Sequence, residues 1–179
     1  RLNIIHTLFE EYAPKEKYDT IVMSCILEHV IDSLSVLKMA VSWLKDDGVI
    51  LIVVPNMLSL HRRIGYHCGM IKTMDELSPV DHSVGHRRLY TVKSLSAEIR
   101  NAGLYHGPIQ GVFLKPLSSD RLNDWPDNLL NAFDQMGNEL VEYAGYLFAP
   151  CYRDPKIAKE KKLERISYQF TEPRNDPNR

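Results

Sequence analysis

No two of the nine glycines stand one residue apart. The chain thus contains no GxG pair, and no loop of the kind that lets a backbone close around a phosphate or a cofactor. Cysteine is scarce too. Cys25, Cys68 and Cys151 are an odd number, widely spaced, without a CxxC or Cys/His pattern. That argues against structural zinc and leaves reduced thiols as the expectation. Neither sign of charge dominates: 22 basic against 23 acidic residues leave a net charge of −1, so nothing draws the chain to nucleic acid or to an anionic membrane. No apolar run approaches the roughly 20 residues that cross a bilayer. Residue 1 is arginine, and Arg-Leu-Asn-Ile-Ile lacks the basic-then-apolar order of a secretory signal. A cytoplasmic protein is expected, as is a sequence that begins partway through a longer one.

What is present is concentrated between Tyr18 and Asn56. Thr20 to Cys25 is nearly all apolar, the pattern of a strand buried on both faces of a parallel sheet. Asp32 or Ser33 can cap a helix with Leu34, Leu37, Val41 and Leu44 on one face, and Gly48 stands where such a helix should stop. Val49 to Val54 reads as a second buried strand. Strand, helix and strand in so short a stretch make a right-handed crossover the default. Ahead of this unit, Leu2 to His6 reads as a short strand. Beyond it, Leu58 to Met70 reads as a basic, histidine-rich helix ending at Gly65 or Gly69, and Lys72 to His86 as a polar loop. Thr91 to Ala102 has the cap, inward Leu95 and Ile99, and closing Gly103 of a helix. Tyr105 to Pro116 suggests a strand interrupted at Pro108 and Gly111, Pro126 to Tyr143 a helix, and Tyr146 to Tyr152 a last strand. From Asp154 the composition turns polar. The domain expectation is therefore 1–153 folded and 154–179 a flexible tail.

One family carries these pieces in this order. Tyr18-Asp19-Thr20-Ile21 entering a strand, Ser24-Cys25-Ile26-Leu27-Glu28-His29-Val30 at its exit, Leu44-Lys45-Asp46-Asp47-Gly48-Val49, and a strand ending Val54-Pro55-Asn56 are followed by Gly85-His86-Arg87-Arg88-Leu89-Tyr90-Thr91. Residues 2 to 116 resemble the C-terminal two-thirds of a class I S-adenosylmethionine-dependent methyltransferase. The resemblance implies an α/β, Rossmann-like doubly wound sheet, here incomplete at its N-terminal side, and S-adenosyl-L-methionine as cofactor. It also implies that the family's glycine-rich cofactor loop and the acidic residue that holds the ribose would precede Arg1. The edge of the sheet would then lie open.

Methyl transfer asks the protein for alignment and, where the acceptor needs it, for a base. By the resemblance, Thr7, Leu8 and Phe9 would lie near the adenine, and Ser24 and Cys25 would line the methionine side at the carboxyl end of a strand. The plain alternative for Thr7 to Phe9 is an ordinary turn with Phe9 in the core. His29 can act as a base or, with Glu28, merely fix the turn. His86, held by the preceding glycine, is the first choice of general base. Arg62, His82 and Arg87, with Arg88, are candidates for gripping an acidic substrate; the alternative is a solvated basic loop. His82 and His86 have helical ligand spacing, but Gly85 speaks against a helix and no HExxH pattern is present, so no metal is expected. The leading reading is a methyltransferase for a small, acidic molecule, with oxygen ahead of nitrogen or carbon as acceptor. A homo-oligomer is compatible with it. The rivals are a non-catalytic Rossmann-like partner subunit and a nucleotide-sugar or dinucleotide enzyme on a similar sheet.

Overall fold

The structure, a computed structural model, describes residues 3–117, 119–122 and 124–160. β1 (Tyr18–Ser24) leads through α1 (Ser33–Trp43) to β2 (Leu44–Pro55), and the two strands pair in parallel with Thr20 opposite Val49 and Ser24 opposite Val53. α1 starts where Asp32 accepts a hydrogen bond from the Ser35 amide at 2.9 Å. Its buried stripe is Val36, Leu37 and Ala40; the expected Leu34 and Val41 are only half-buried. Gly48 does not end the helix. The chain turns straight from Trp43 into β2, and a break in register after Tyr18 places Gly48 inside the strand, where a Cβ would press on Leu44 and on the Asp19 carbonyl.

α2 (Leu60–His67) follows, closing at Gly69 with φ +73°. The expected polar loop contains a helix, α3 (Pro79–Ser83), held by a reciprocal Ser78–Asp81 capping box and ended by Gly85 at φ +81°. α4 (Val92–Asn101) has the expected bounds and buries Leu95 and Ile99 beside α1. The region after it forms two short strands, β3 (Tyr105–His106) and β4 (Gln110–Val112), parted at Pro108 but continuous through Gly111. α5 (Asp127–Glu139) packs on β4, and each of Gly111 and Gly137 leaves no room for a Cβ against the other element. β5 (Tyr146–Tyr152) runs antiparallel between β2 and the β3/β4 pair, giving the order β1-β2-β5-β3 with β4 also on β5. α6 (Pro155–Glu160) packs against β5 and buries Ala158, so the start of the expected flexible tail is helical; 161–179 lie outside the described residues.

Over the described part of the strand expected at Leu2 to His6, no strand forms. Residues 3–8 are irregular and a short 3-10 turn covers Phe9–Glu11. Among the described residues β1 has only β2 beside it, and an extended segment without a ladder partner has little to hold it.

Candidate active site

β1 ends at Ser24, and Cys25 turns the chain with φ +53°, a left-handed conformation unusual for a side-chain-bearing residue. Its amide is tied to the Val53 carbonyl at 2.9 Å, so the turn is fixed to the end of β2. Ser24 is exposed and Cys25 half-buried. Burial and the Glu28 carboxyl push the Cys25 thiol up to about 11, which disfavours its thiolate form.

The segment 86–90 is drawn onto this turn from across the chain. The Arg87 amide donates to the Glu28 carbonyl at 2.8 Å, and its Nε to the His29 carbonyl at 3.0 Å. Arg88 donates from Nη1 to the carbonyls of Leu27 and Val30, and from Nη2 to that of Ile31, at 2.6 to 2.7 Å. The Met57 amide then donates to the Tyr90 carbonyl at 2.7 Å, anchoring the same segment to the end of β2. His86 therefore arrives beside His29, the two rings edge to face with centroids 4.8 Å apart.

Behind His86 stands a group to which the sequence assigned no role. Asp81 accepts from His86 Nδ1 at 2.9 Å, from Arg62 Nη1 at 2.9 Å, and from the Ser78 amide and hydroxyl at 2.8 and 2.7 Å. Burial by itself would raise its pKa, but the Ser78 and His86 bonds and the Arg62 charge prevail and hold the carboxyl down at about 2. The ionised acceptor favours a proton on His86 Nδ1 and holds the ring with Nε2 turned away from it. The spacing Ser78-Pro79-Val80-Asp81 is a capping-box signature and could have been read as such. That its acid also orients a histidine is visible only in three dimensions.

Several expected site residues lie elsewhere. Arg62 is 7% exposed, and besides Asp81 it bonds the carbonyls of Met74 and Glu76; all these partners belong to the chain, so it is not free to grip a substrate. His82 is exposed on α3, apart from the His29–His86 pair. Thr7, Leu8 and Phe9 are exposed and line a groove with Tyr18, Thr20 and Trp43, at the amino-terminal half of β1 and not at its carboxyl end beside Ser24 and Cys25. Arg87 is exposed, with its terminal nitrogens available.

An open mixed sheet whose turns gather at the carboxyl ends of two parallel strands is Rossmann-like, and solved structures agree. A SAM-dependent methyltransferase from Thermotoga maritima superposes with a TM-score of 0.51 at 16% identity, over 83% of this chain and 62% of its own. Another from Archaeoglobus fulgidus gives 0.50 at 16% identity, over 84% and 68%. A family model described as a methyltransferase domain matches residues 1–106, and the chain belongs to that family. The chain spans about three-fifths of the length of the Thermotoga protein (62%), and no curated protein sequence matches it. Of the residues expected to line the cofactor implied by the family, Ser24 stands exposed at the end of β1 and Cys25 is half-buried in a left-handed turn. The grip of a glycine-rich loop is not supplied, since the sequence holds no GxG pair.

Proposed function

We propose that this chain serves S-adenosylmethionine-dependent methyl transfer to a small molecule, preferentially an acidic one accepting on a hydroxyl oxygen. The observation that carries the reading is the His86–Asp81 pair, bonded at 2.9 Å and set at the carboxyl ends of β1 and β2. Ser24 and the Cys25 turn would line the methionine side of the cofactor, which when bound supplies a methyl group already activated on sulfur. His86 Nε2 takes the proton from the acceptor hydroxyl, and the ionised Asp81 steadies the imidazolium that results. Arg62 acts one layer back by keeping Asp81 charged. The free nitrogens of Arg87 can pair with a carboxylate or phosphate on the substrate.

The test is calorimetric titration of S-adenosylhomocysteine into this chain and into the product of its full reading frame. Saturable binding to at least one of them, abolished by Ser24→Trp, is the expected result. Absence of binding to both sinks the reading and leaves the non-catalytic partner in its place. With an acceptor identified, His86→Asn should lower kcat by about 10²- to 10⁴-fold with KM little changed.

A further inference from the structure

Glu28 is 0% exposed, and among the described residues its carboxyl has no hydrogen-bond partner of good geometry, with only the Cys25 thiol interacting with it. A buried carboxyl so poorly paired is costly, and most folds avoid it. What faces it is unusual: His29 Nε2 lies 4.0 Å from Glu28 Oε1, and the ring of His86 stacks edge-on against that of His29. One potential ligand atom from each of Glu28, His29 and His86 lies within 4.8 Å of the others. We propose that these three residues form a binding site for a divalent first-row transition-metal ion.

Three features support it beyond proximity. The Glu28 carboxyl, with only a thiol beside it, offers oxygen ligands that nothing else in the described residues uses well. His86 Nδ1 is bonded to Asp81 at 2.9 Å, and a carboxylate behind a histidine is the usual outer layer of such sites, leaving Nε2 as the nitrogen that would ligate. His29 is 37% exposed, so an ion can enter past it. Ligand atoms about 2.1 Å from one ion stand roughly 3 to 3.5 Å apart, so binding draws the three side chains together by about 1 Å. Two imidazoles and one carboxylate suit zinc, cobalt, manganese or iron better than magnesium or calcium, which favour oxygen ligands. Three protein ligands also leave coordination positions open. An ion held there would occupy a His86 nitrogen and would supply Lewis acidity to an oxygen bound beside it.

Linear spacing could not show this site, because Glu28 and His29 meet His86 only through the Arg87 and Arg88 bonds to the 27–31 turn. The inference does not rest on methyl transfer, and its test involves none. Co²⁺ is titrated into the chain while its visible spectrum and thermal unfolding are recorded. One Co²⁺ per chain, a rise in Tm of several degrees and at least tenfold weaker binding in His29→Ala and in Glu28→Gln are expected. Glu28→Gln keeps the side chain's shape, so it should fold about as well as the parent while losing the metal-induced rise. Zn²⁺ should displace the Co²⁺, and Mg²⁺ at equal concentration should not. Absence of saturable Co²⁺ binding, binding unaltered in both variants, or displacement by Mg²⁺ overturns the proposal.

Discussion

His61 is held among cations: its backbone amide donates to the Lys115 carbonyl at 3.0 Å, and its ring is largely buried with Nδ1 unbonded. Burial first, then the charges of Lys115 and Arg62, push its pKa down to about 4 against the pull of Asp81. The folded chain thus refuses a proton that the unfolded chain accepts below pH ~6.5. Stability contributed by neutral His61 is complete above that pH and is lost as pH falls from about 6.5 toward 4. The loss is about 1–3 kcal/mol across this window. His61→Leu should show a flatter dependence when unfolding midpoints are compared at pH 7 and pH 4.5; parallel curves would show that His61 is not buried neutral. Residue type alone marked His61, Arg62, His82 and His86 as one basic, histidine-rich group. Their surroundings separate them into a half-buried histidine that resists protonation, a locked arginine, an exposed histidine and an oriented imidazole.

At the scale of elements, β1 is buried on one side. Met23 is in the core at 4% exposure, while Val22 on the opposite face is 64% exposed. An almost wholly apolar run such as Thr20 to Cys25 reads as a strand covered on both faces, and the run itself cannot tell which face finds a partner. Met23→Ala should cost 2–5 kcal/mol, about the usual range for a core truncation, whereas Val22→Lys should stay within about 0.5 kcal/mol. Urea unfolding of the two variants decides it, and equal costs would contradict the one-sided burial. Where an element carries its own punctuation, expectation and structure coincide. α4 is bounded by the Thr91–Ser94 capping box and by Gly103 at φ +81°, and it forms where its sequence says. The segment Leu2 to His6 has no such local signals, and a strand there depends on a neighbour that the described residues do not provide.

At the scale of the molecule, Arg88 makes most of the side-chain bonds that join the 27–31 turn to the segment leading into α4. Arg88 caps three carbonyls there, those of Leu27, Val30 and Ile31, which no lysine can reproduce because it lacks the planar fork. Arg88→Lys should cost at least about 2 kcal/mol, since bonds to a charged donor contribute 1.5–3 each. Arg87→Lys, which loses one exposed bond, should cost under about 1 kcal/mol. Comparable urea midpoints for the two would remove Arg88 as the tie that brings His86 to His29. Among the described residues no helix is long and apolar enough to cross a membrane, in keeping with the absence of long apolar runs. By itself the sequence determined the alternation of strand and helix, the ends of α4, the family resemblance and the missing GxG loop, because periodicity, caps and turn residues act over a few positions. Only the tertiary structure decided that Asp81 orients His86, that Arg62 is locked, that Thr7 to Phe9 stand at the far end of β1, and that Glu28, His29 and His86 share one corner. Those relations depend on which distant segments pack together, and that is settled by burial and long-range hydrogen bonds, not by neighbours along the chain.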